Sequence, residues 1–280
     1  MSIWFITGAS RGLGAEMTRA ALARGHQVVA TARDAGQVRA AFPDAGDALL
    51  PVALDVTDPA QVDAAVRAAT GRFGRIDVLI NNAGRGLLSA IEEAADAEVR
   101  SVYEVNVFAL LSVTRAVLPV MRAQRSGTIV SLSSIAGFRG SAGWGVYAST
   151  KFAVEGITEA LRDEVAPLGI TAGVVEPGYF RTDFLDSSSL HVTAPIEDYA
   201  DGPVGVTRGR APGLNHGQPG DPVKGVQAIV DAVESGAFPV RLFLGSDTIA
   251  AVSGKIAAVS DEVERQRATA VSTDHDSAGV

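Results

Sequence analysis

Tyr147 and Lys151, four residues apart, form the most reactive pairing in the chain. On a helix that spacing puts the phenol and the ammonium on one face, one turn apart. A tyrosine hydroxyl titrates near ~10, and a cation within a few ångströms favours the phenolate. The pair therefore predicts a phenol whose pKa is lowered toward the operating pH, suited to general acid or base work. Taken alone, such a pair is more often a surface lysine with its stem laid on a ring. Its surroundings decide, beginning with the hydroxyl-rich stretch Ser131-Leu-Ser-Ser134 that precedes it.

The elements that would position the pair read as alternating strands and helices. Ile3 to Ile6 is a short apolar run, followed by Thr7-Gly8-Ala9-Ser10-Arg11-Gly12-Leu13-Gly14 and a helical pattern from Leu13 to Arg24 that Gly25 ends. Gln27 to Thr31 is a second buried strand, which completes a βαβ unit. The three glycines would let backbone N–H groups approach a pyrophosphate at the helix N-terminus, although their spacing departs from G-x-G-x-x-G. Cofactor choice should lie at the end of the second strand, where an acidic residue would take the ribose hydroxyls of NAD and an arginine the 2′-phosphate of NADP. Ala32 and Arg33 stand there, with Arg11 as a second cation suited to phosphate. NADPH/NADP+ is the expected cofactor.

Further strands are expected at Leu49 to Leu54, Ile76 to Ile80, Gly127 to Leu132, Ile170 to Val175 and Val240 to Leu244. Helices are expected from Asp58-Pro59 to about Phe73, from about Glu98 to Arg122, from Tyr147 to about Ala166 and from Asp221-Pro222 to Gly236, with a last one to about Arg267. Asn81-Asn82-Ala83-Gly84 closes the fourth strand, where α/β sheets place ligands. Asn106 sits among apolar neighbours and must find partners, bracing the core or holding a water beside the site. Residues 186–220 are rich in Gly, Pro, Ser and His without steady period, too long for an ordinary connection. A substrate lid over about 185–221 with short helical pieces is the expectation. One domain over 1–268 follows, with no repeat, no linker and a frayed polar tail over 269–280.

Composition bounds the function. The chain has 280 residues, 47% hydrophobic, enough for one large core. A net charge of −8 without dense basic runs argues against nucleic acid or anionic membranes as partners and suits a small molecule. The absence of cysteine removes thiolate chemistry, and four scattered histidines suggest no metal site. No apolar run approaches the roughly 18 residues of a membrane span and no signal peptide precedes Thr7, so a cytoplasmic protein is expected.

Together, Thr7-Gly8-x-x-x-Gly12-x-Gly14, Asn81-Asn-Ala-Gly84, Asn106, Ser134, Tyr147-x-x-x-Lys151 and Pro177-Gly178 resemble, in order and spacing, the short-chain dehydrogenase/reductase family. The resemblance is close from Met1 to Leu185 and looser beyond. It implies a Rossmann-type α/β fold: a doubly wound, seven-stranded parallel sheet with helices on both faces. It also implies roles. Tyr147 would exchange a proton with the substrate oxygen, Lys151 would lower its pKa and bind the nicotinamide ribose, and Ser134, thirteen residues before Tyr147, would hydrogen-bond the carbonyl. Asn106 would hold a relay water.

Gly8, Ser10, Arg11, Gly12, Leu13 and Gly14 would form the cofactor turn. Asp55 and Val56 would face the adenine, Asn81, Ala83 and Gly84 the ribose side, and Pro177, Gly178 and Thr182 the pyrophosphate or carboxamide. Ala32-Arg33 is similar to the NADP-preferring branch, and the whole to hydroxysteroid and retinol dehydrogenases. The implied reaction is hydride transfer to a ketone or aldehyde. Leu87, Leu88, Ile135, Phe138, Trp144, Phe180, Phe184 and Leu185 are candidate pocket walls, an apolar set suited to an aryl, alicyclic or steroid-like substrate.

Apolar and small residues around the helix after Tyr147 motivate a homodimer or homotetramer. The alternatives are a non-catalytic NADP-binding sensor, which need not keep Asn106, Ser134, Tyr147 and Lys151 together, and a nucleotide-sugar epimerase, with a larger substrate domain and different glycine spacing.

Overall fold

The strands of the central sheet are mostly apolar, because a parallel sheet covered on both faces leaves little room for polar side chains, and buried Glu176 is an exception. The computed structural model describes residues 1–275. In chain order the elements are β1 (Ile3–Ile6), α1 (Gly12–Ala23), β2 (Gln27–Ala32), α2 (Ala35–Ala41), β3 (Leu49–Ala53), α3 (Pro59–Phe73), β4 (Val78–Asn81) and β5 (Gly86–Leu88). They continue with α4 (Asp96–Tyr103), α5 (Ala109–Gln124), β6 (Gly127–Leu132), α6 (Gly145–Val165), β7 (Ile170–Pro177) and β8 (Leu190–Val192). The chain closes with α7 (Pro203–Leu214), α8 (Pro222–Glu234), β9 (Arg241–Leu244) and α9 (Ser246–Val271).

Seven strands pair in the order β3-β2-β1-β4-β6-β7-β9, all parallel. One face packs Trp4, Ile6 and Val28 against Met17 of α1 and Ile229 of α8. The other packs Phe5, Leu79 and Ile129 against Val62 of α3, Val113 and Val117 of α5 and Leu161 of α6. This is the doubly wound α/β arrangement. Strand order reverses between β1 and β4, so the carboxyl ends of those two strands open a crevice, the usual ligand position in such sheets.

Several elements differ from the sequence-based expectation. The short helix α2, for which no element was expected, is capped by the Asp34 carboxylate, which accepts from Gly36 N at 2.8 Å. The single helix expected at about Glu98 to Arg122 is α4 and α5 joined by a π turn at Glu104–Phe108 that carries Asn106. By length and composition Asp96–Gln124 meets the size of a membrane span, a pattern missed from sequence; Val113, Val117 and Met121 are spent on the core. Within the lid, β8 pairs with β5 and α7 follows. Helix α9 runs to Val271, past the expected tail start at 269, while 276–280 lie outside the described residues.

β7 and β9 approach closely at Gly173, where a Cβ would lie 2.1 Å from Pro239 O and 2.7 Å from the Phe238 ring. Gly173→Ala should therefore destabilise the protein by about 1–3 kcal/mol through overpacking. Denaturant unfolding measures this, and an unchanged midpoint would show that the β7–β9 edge yields freely.

Candidate active site

The glycine turn after β1 is shaped by contacts with the end of β4. Gly8 and Gly12 adopt φ of 66° and 55°, which L side chains rarely tolerate. A Cβ on Gly14 would sit 2.2 Å from Gly8 O, so this glycine lets α1 close on the turn and is absent from the cleft wall. Asn82 Nδ2 donates to Thr7 O at 2.8 Å and Gly8 O at 2.9 Å, while Thr7 Oγ accepts from Asn82 N and Ala83 N, both at 3.0 Å. The sequence reading had chosen Asn81 for the cofactor. Asn81 instead points into the helical layer and donates to Thr114 Oγ at 2.9 Å, because successive side chains of a strand alternate faces. Asn82 is the bracing residue, one position on.

A cleft of about 890 Å³ opens over this crevice. Gly8, Ser10, Arg11, Gly12 and Leu13 line one end, with Ala32, Arg33, Asp55 and Val56 beyond. Ala83 and Gly84 lie at its middle, and Pro177, Gly178 and Thr182 face them. Arg33 is exposed and makes no hydrogen bond or ion pair among the described residues, which leaves its guanidinium available at the cleft mouth. Arg11 is already engaged. It donates to Ser188 O at 3.0 Å and Ser189 Oγ at 2.8 Å, tying the glycine turn to the lid.

Ser134, Tyr147 and Lys151 meet at the other end of the cleft. Ser134 caps the short turn Ile135–Gly137 by accepting from Ala136 N at 3.1 Å. The Tyr147 ring lies between Trp144 and Phe184, with centroids 5.7 Å and 5.5 Å away. Lys151 Nζ donates to Leu132 O at 2.7 Å and stands 5.8 Å from the Tyr147 centroid. Burial pushes the Tyr147 phenol well above its ordinary value, with the Ser134 hydroxyl opposing. Burial also lowers Lys151 to about 8, with the Glu155 charge opposing. The direction is opposite to the expected lowering: burial dominates, and the short hydrogen bond of Lys151 goes to a backbone carbonyl.

Asn106 does not line the cleft. Its Oδ1 accepts from Arg85 N at 2.9 Å, and its Nδ2 donates to Arg85 O at 3.0 Å and Thr150 Oγ at 3.1 Å. The side chain ties the π turn to the loop after β4 and to α6, one residue before Lys151.

A family model described as short chain dehydrogenase matches residues 2–192. The chain belongs to that family. "Oxidoreductase BOA17" of Botryotinia fuckeliana is 38% identical over 267 residues, covering 94% of this chain and 97% of the relative. A 3-ketodihydrosphingosine reductase of Bacteroides thetaiotaomicron is 40% identical over 204 residues, 71% of this chain and 72% of its own. The crystal structure of a short-chain dehydrogenase from Streptomyces avermitilis superposes with a TM-score of 0.89 at 38% identity, covering 98% of this chain and 100% of that one. More distant solved relatives, at 26% identity, are complexes with NADH or NADP+. This protein is an oxidoreductase of the short chain dehydrogenase family.

Five of the eight apolar residues expected as pocket walls, Ile135, Trp144, Phe180, Phe184 and Leu185, line the cleft of this short chain dehydrogenase. Leu87 packs instead with Val102 and Val146, and Leu88 lies behind the lid beside Leu190. Phe138 lies under the Arg241 guanidinium, 5.8 Å from its ring centroid. The lid also brings Asp183, Asp186 and exposed His216 within 4.8 Å of one another, a grouping that the scattered histidines of the sequence had not suggested.

A buried acidic cluster, unremarked in the sequence, lies behind Lys151. Glu155, one helical turn after Lys151, and Glu176 of β7 face Arg241 Nε at 3.2 Å and 3.4 Å, and Glu159 also pairs with Arg241. Neither oxygen of Glu176 has a hydrogen bond, and the residue is fully buried. Burial, reinforced by the Glu155 charge, pushes its pKa up to about 8 from an ordinary 4.5. The folded state then holds a proton that the unfolded chain releases between those values, so this contribution is complete below about 4.5 and lost as pH rises through about 8. The thermal midpoint of the wild type should accordingly fall more steeply from pH 5 to pH 8 than that of Glu176→Gln. Parallel slopes would mean that Glu176 is ionised throughout.

Proposed function

We propose that this protein is an NADPH-dependent reductase of an apolar ketone or aldehyde, with Tyr147 as proton donor. The observation that carries the reading is the convergence of Ser134, Tyr147 and Lys151 at the apolar end of a cleft whose other end is a glycine cradle with an unengaged arginine. The residues fit a dinucleotide. Gly8 and Gly12 keep the turn free of side chains, backbone N–H groups at the start of α1 face the cleft, and Arg33 suits a 2′-phosphate. Bound there, the nicotinamide supplies the hydride.

The chain's own residues supply the rest. A buried phenol whose pKa is raised keeps its proton at neutral pH, which suits a donor to the alkoxide that develops as a carbonyl is reduced. Ser134 adds a second hydrogen bond to the same oxygen. Lys151, charged below about pH 8, places a positive charge beside the phenolate left behind. Ile135, Trp144, Phe184 and Leu185 exclude water and accept an aryl, alicyclic or steroid-like body. The likeness to a 3-ketodihydrosphingosine reductase of Bacteroides thetaiotaomicron supports the direction of the reaction. A cytoplasmic homo-oligomer completes the reading, with Phe108 and Phe152 exposed at 54% and 46% as contact candidates.

Tyr147→Phe should lower ketone-dependent NADPH oxidation by about 10²–10⁴-fold while NADPH binding, followed by fluorescence titration, changes no more than a few-fold. Wild-type turnover in this variant would remove the proton-donor assignment, whereas NADPH binding without ketone-dependent turnover in the wild type itself would leave a nucleotide sensor as the better reading. Replacing Ala32→Asp with Arg33→Ala should move cofactor preference toward NADH in initial-rate assays, because the site then carries a ribose acceptor and lacks the phosphate partner. An unchanged preference would sink the role given to Arg33.

A further inference from the structure

Among the described residues, the far half of α9 has no partner in its own molecule. Val252 is the last buried residue of the helix, and every residue over 253–271 is exposed. That length of helix reaches about 28 Å from the body at 1.5 Å per residue. Ile249, Ile256, Val259 and Val263 on it are 52%, 55%, 39% and 54% exposed. A helix supported only by its own hydrogen bonds is marginal in water, and a solvated one has no use for a row of β-branched residues.

The row has a strict period. Ile249-Ala-Ala-Val-Ser253 recurs seven residues later as Ile256-Ala-Ala-Val-Ser260, a repeat that the sequence analysis had not recognised. Ile249, Val252, Ile256, Val259, Val263, Gln266 and Ala270 alternate at spacings of three and four, the a and d positions of a heptad. We propose that residues 253–271 pack in parallel along the same segment of a second copy of this chain.

A seam of this kind fits a helix bearing the same seam, and a two-fold interface requires a self-complementary patch. The flanks agree with a parallel register. Glu262 at a g position faces Arg267 at the following e position of the other copy, and Arg267 can exchange its exposed partner Glu264 for it at little cost. Gln266, the polar d residue, penalises shifted registers. A lipid surface fits less well, since interfacial helices carry a basic polar face and here Lys255, Arg265 and Arg267 are matched by Asp261, Glu262 and Glu264. The contact lies apart from Phe108 and Phe152 and does not depend on the reading of Tyr147 or of the cofactor.

The chain has no cysteine, so a single introduced thiol reports on one position. In the full-length protein, Ile256→Cys and Val263→Cys should each form a disulfide-linked dimer under mild oxidation, and Asp261→Cys, on the outer face, should not. Ile256→Asp with Val263→Asp should halve the mass seen by light scattering and keep the cooperative thermal unfolding of the wild type, which shows that the body is folded. Cross-linking at 263 no greater than at 261, or an unchanged mass in the double aspartate variant, would overturn the proposal. So would cosedimentation of the wild type with anionic vesicles that the aspartates abolish, which would make the stripe a lipid contact.

Discussion

The hydrogen bond from Lys151 Nζ to Leu132 O holds a buried ammonium against the end of β6, and the Tyr147 end of the cleft is built around keeping it there. It docks α6 on the sheet at one height, and Tyr147, one turn earlier, is thereby fixed between Trp144 and Phe184. Asn106 secures the same turn from the other side through Thr150, using a π turn to reach across. A helix without that bulge would rotate the amide off its three partners. The irregularity in the backbone and the position of the lysine are parts of one arrangement.

Charge balance extends it inward. Three carboxylates, Glu155, Glu159 and Glu176, meet the single guanidinium of Arg241, and two of the three are buried. Full ionisation would leave excess negative charge out of water, which costs more than the pairing returns. Glu176 holding its proton resolves the conflict and leaves Glu155 as the charge that opposes the lowering of Lys151. A well-packed apolar core would be at least as stable there, so the cluster is explained better by the lysine it faces than by the fold.

Much of this was legible in the sequence where one local rule decides. The buried strands, the Asp58 and Asp221 caps and the tyrosine-lysine spacing come through because parallel strands, capping and helical periodicity act over few residues. Choices that depend on which way a side chain points were lost. Asn81 and Asn82 are chemically identical neighbours, and only strand alternation separates the one facing Thr114 from the one bracing Gly8. The bonds of Arg11 to Ser188 and Ser189 were hidden because they join residues far apart in sequence. Helix α7 carries Gly205, Gly209 and Gly213, so tertiary contacts and not propensity make it a helix.

Helix α9 links the two ends of the molecule's organisation. In its first turn Asp247 Oδ2 accepts from Tyr179 N at 2.8 Å, and a Cβ on Gly178 would lie 2.2 Å from Asp247 Oδ1. The glycine after Pro177 is thus required by the base of α9 as well as by its place on the cleft wall. Thr248 Oγ donates to Leu244 O at 2.9 Å, which fixes the helix to the edge strand β9, whose first residue is Arg241 of the acidic cluster. The base of the helix is therefore part of the wall that faces the glycine turn, while its outer half carries the heptad seam. A helix anchored this way keeps the Gly178 loop in one conformation through its first turn, and the same residues that set the direction of its outer half also shape the cleft.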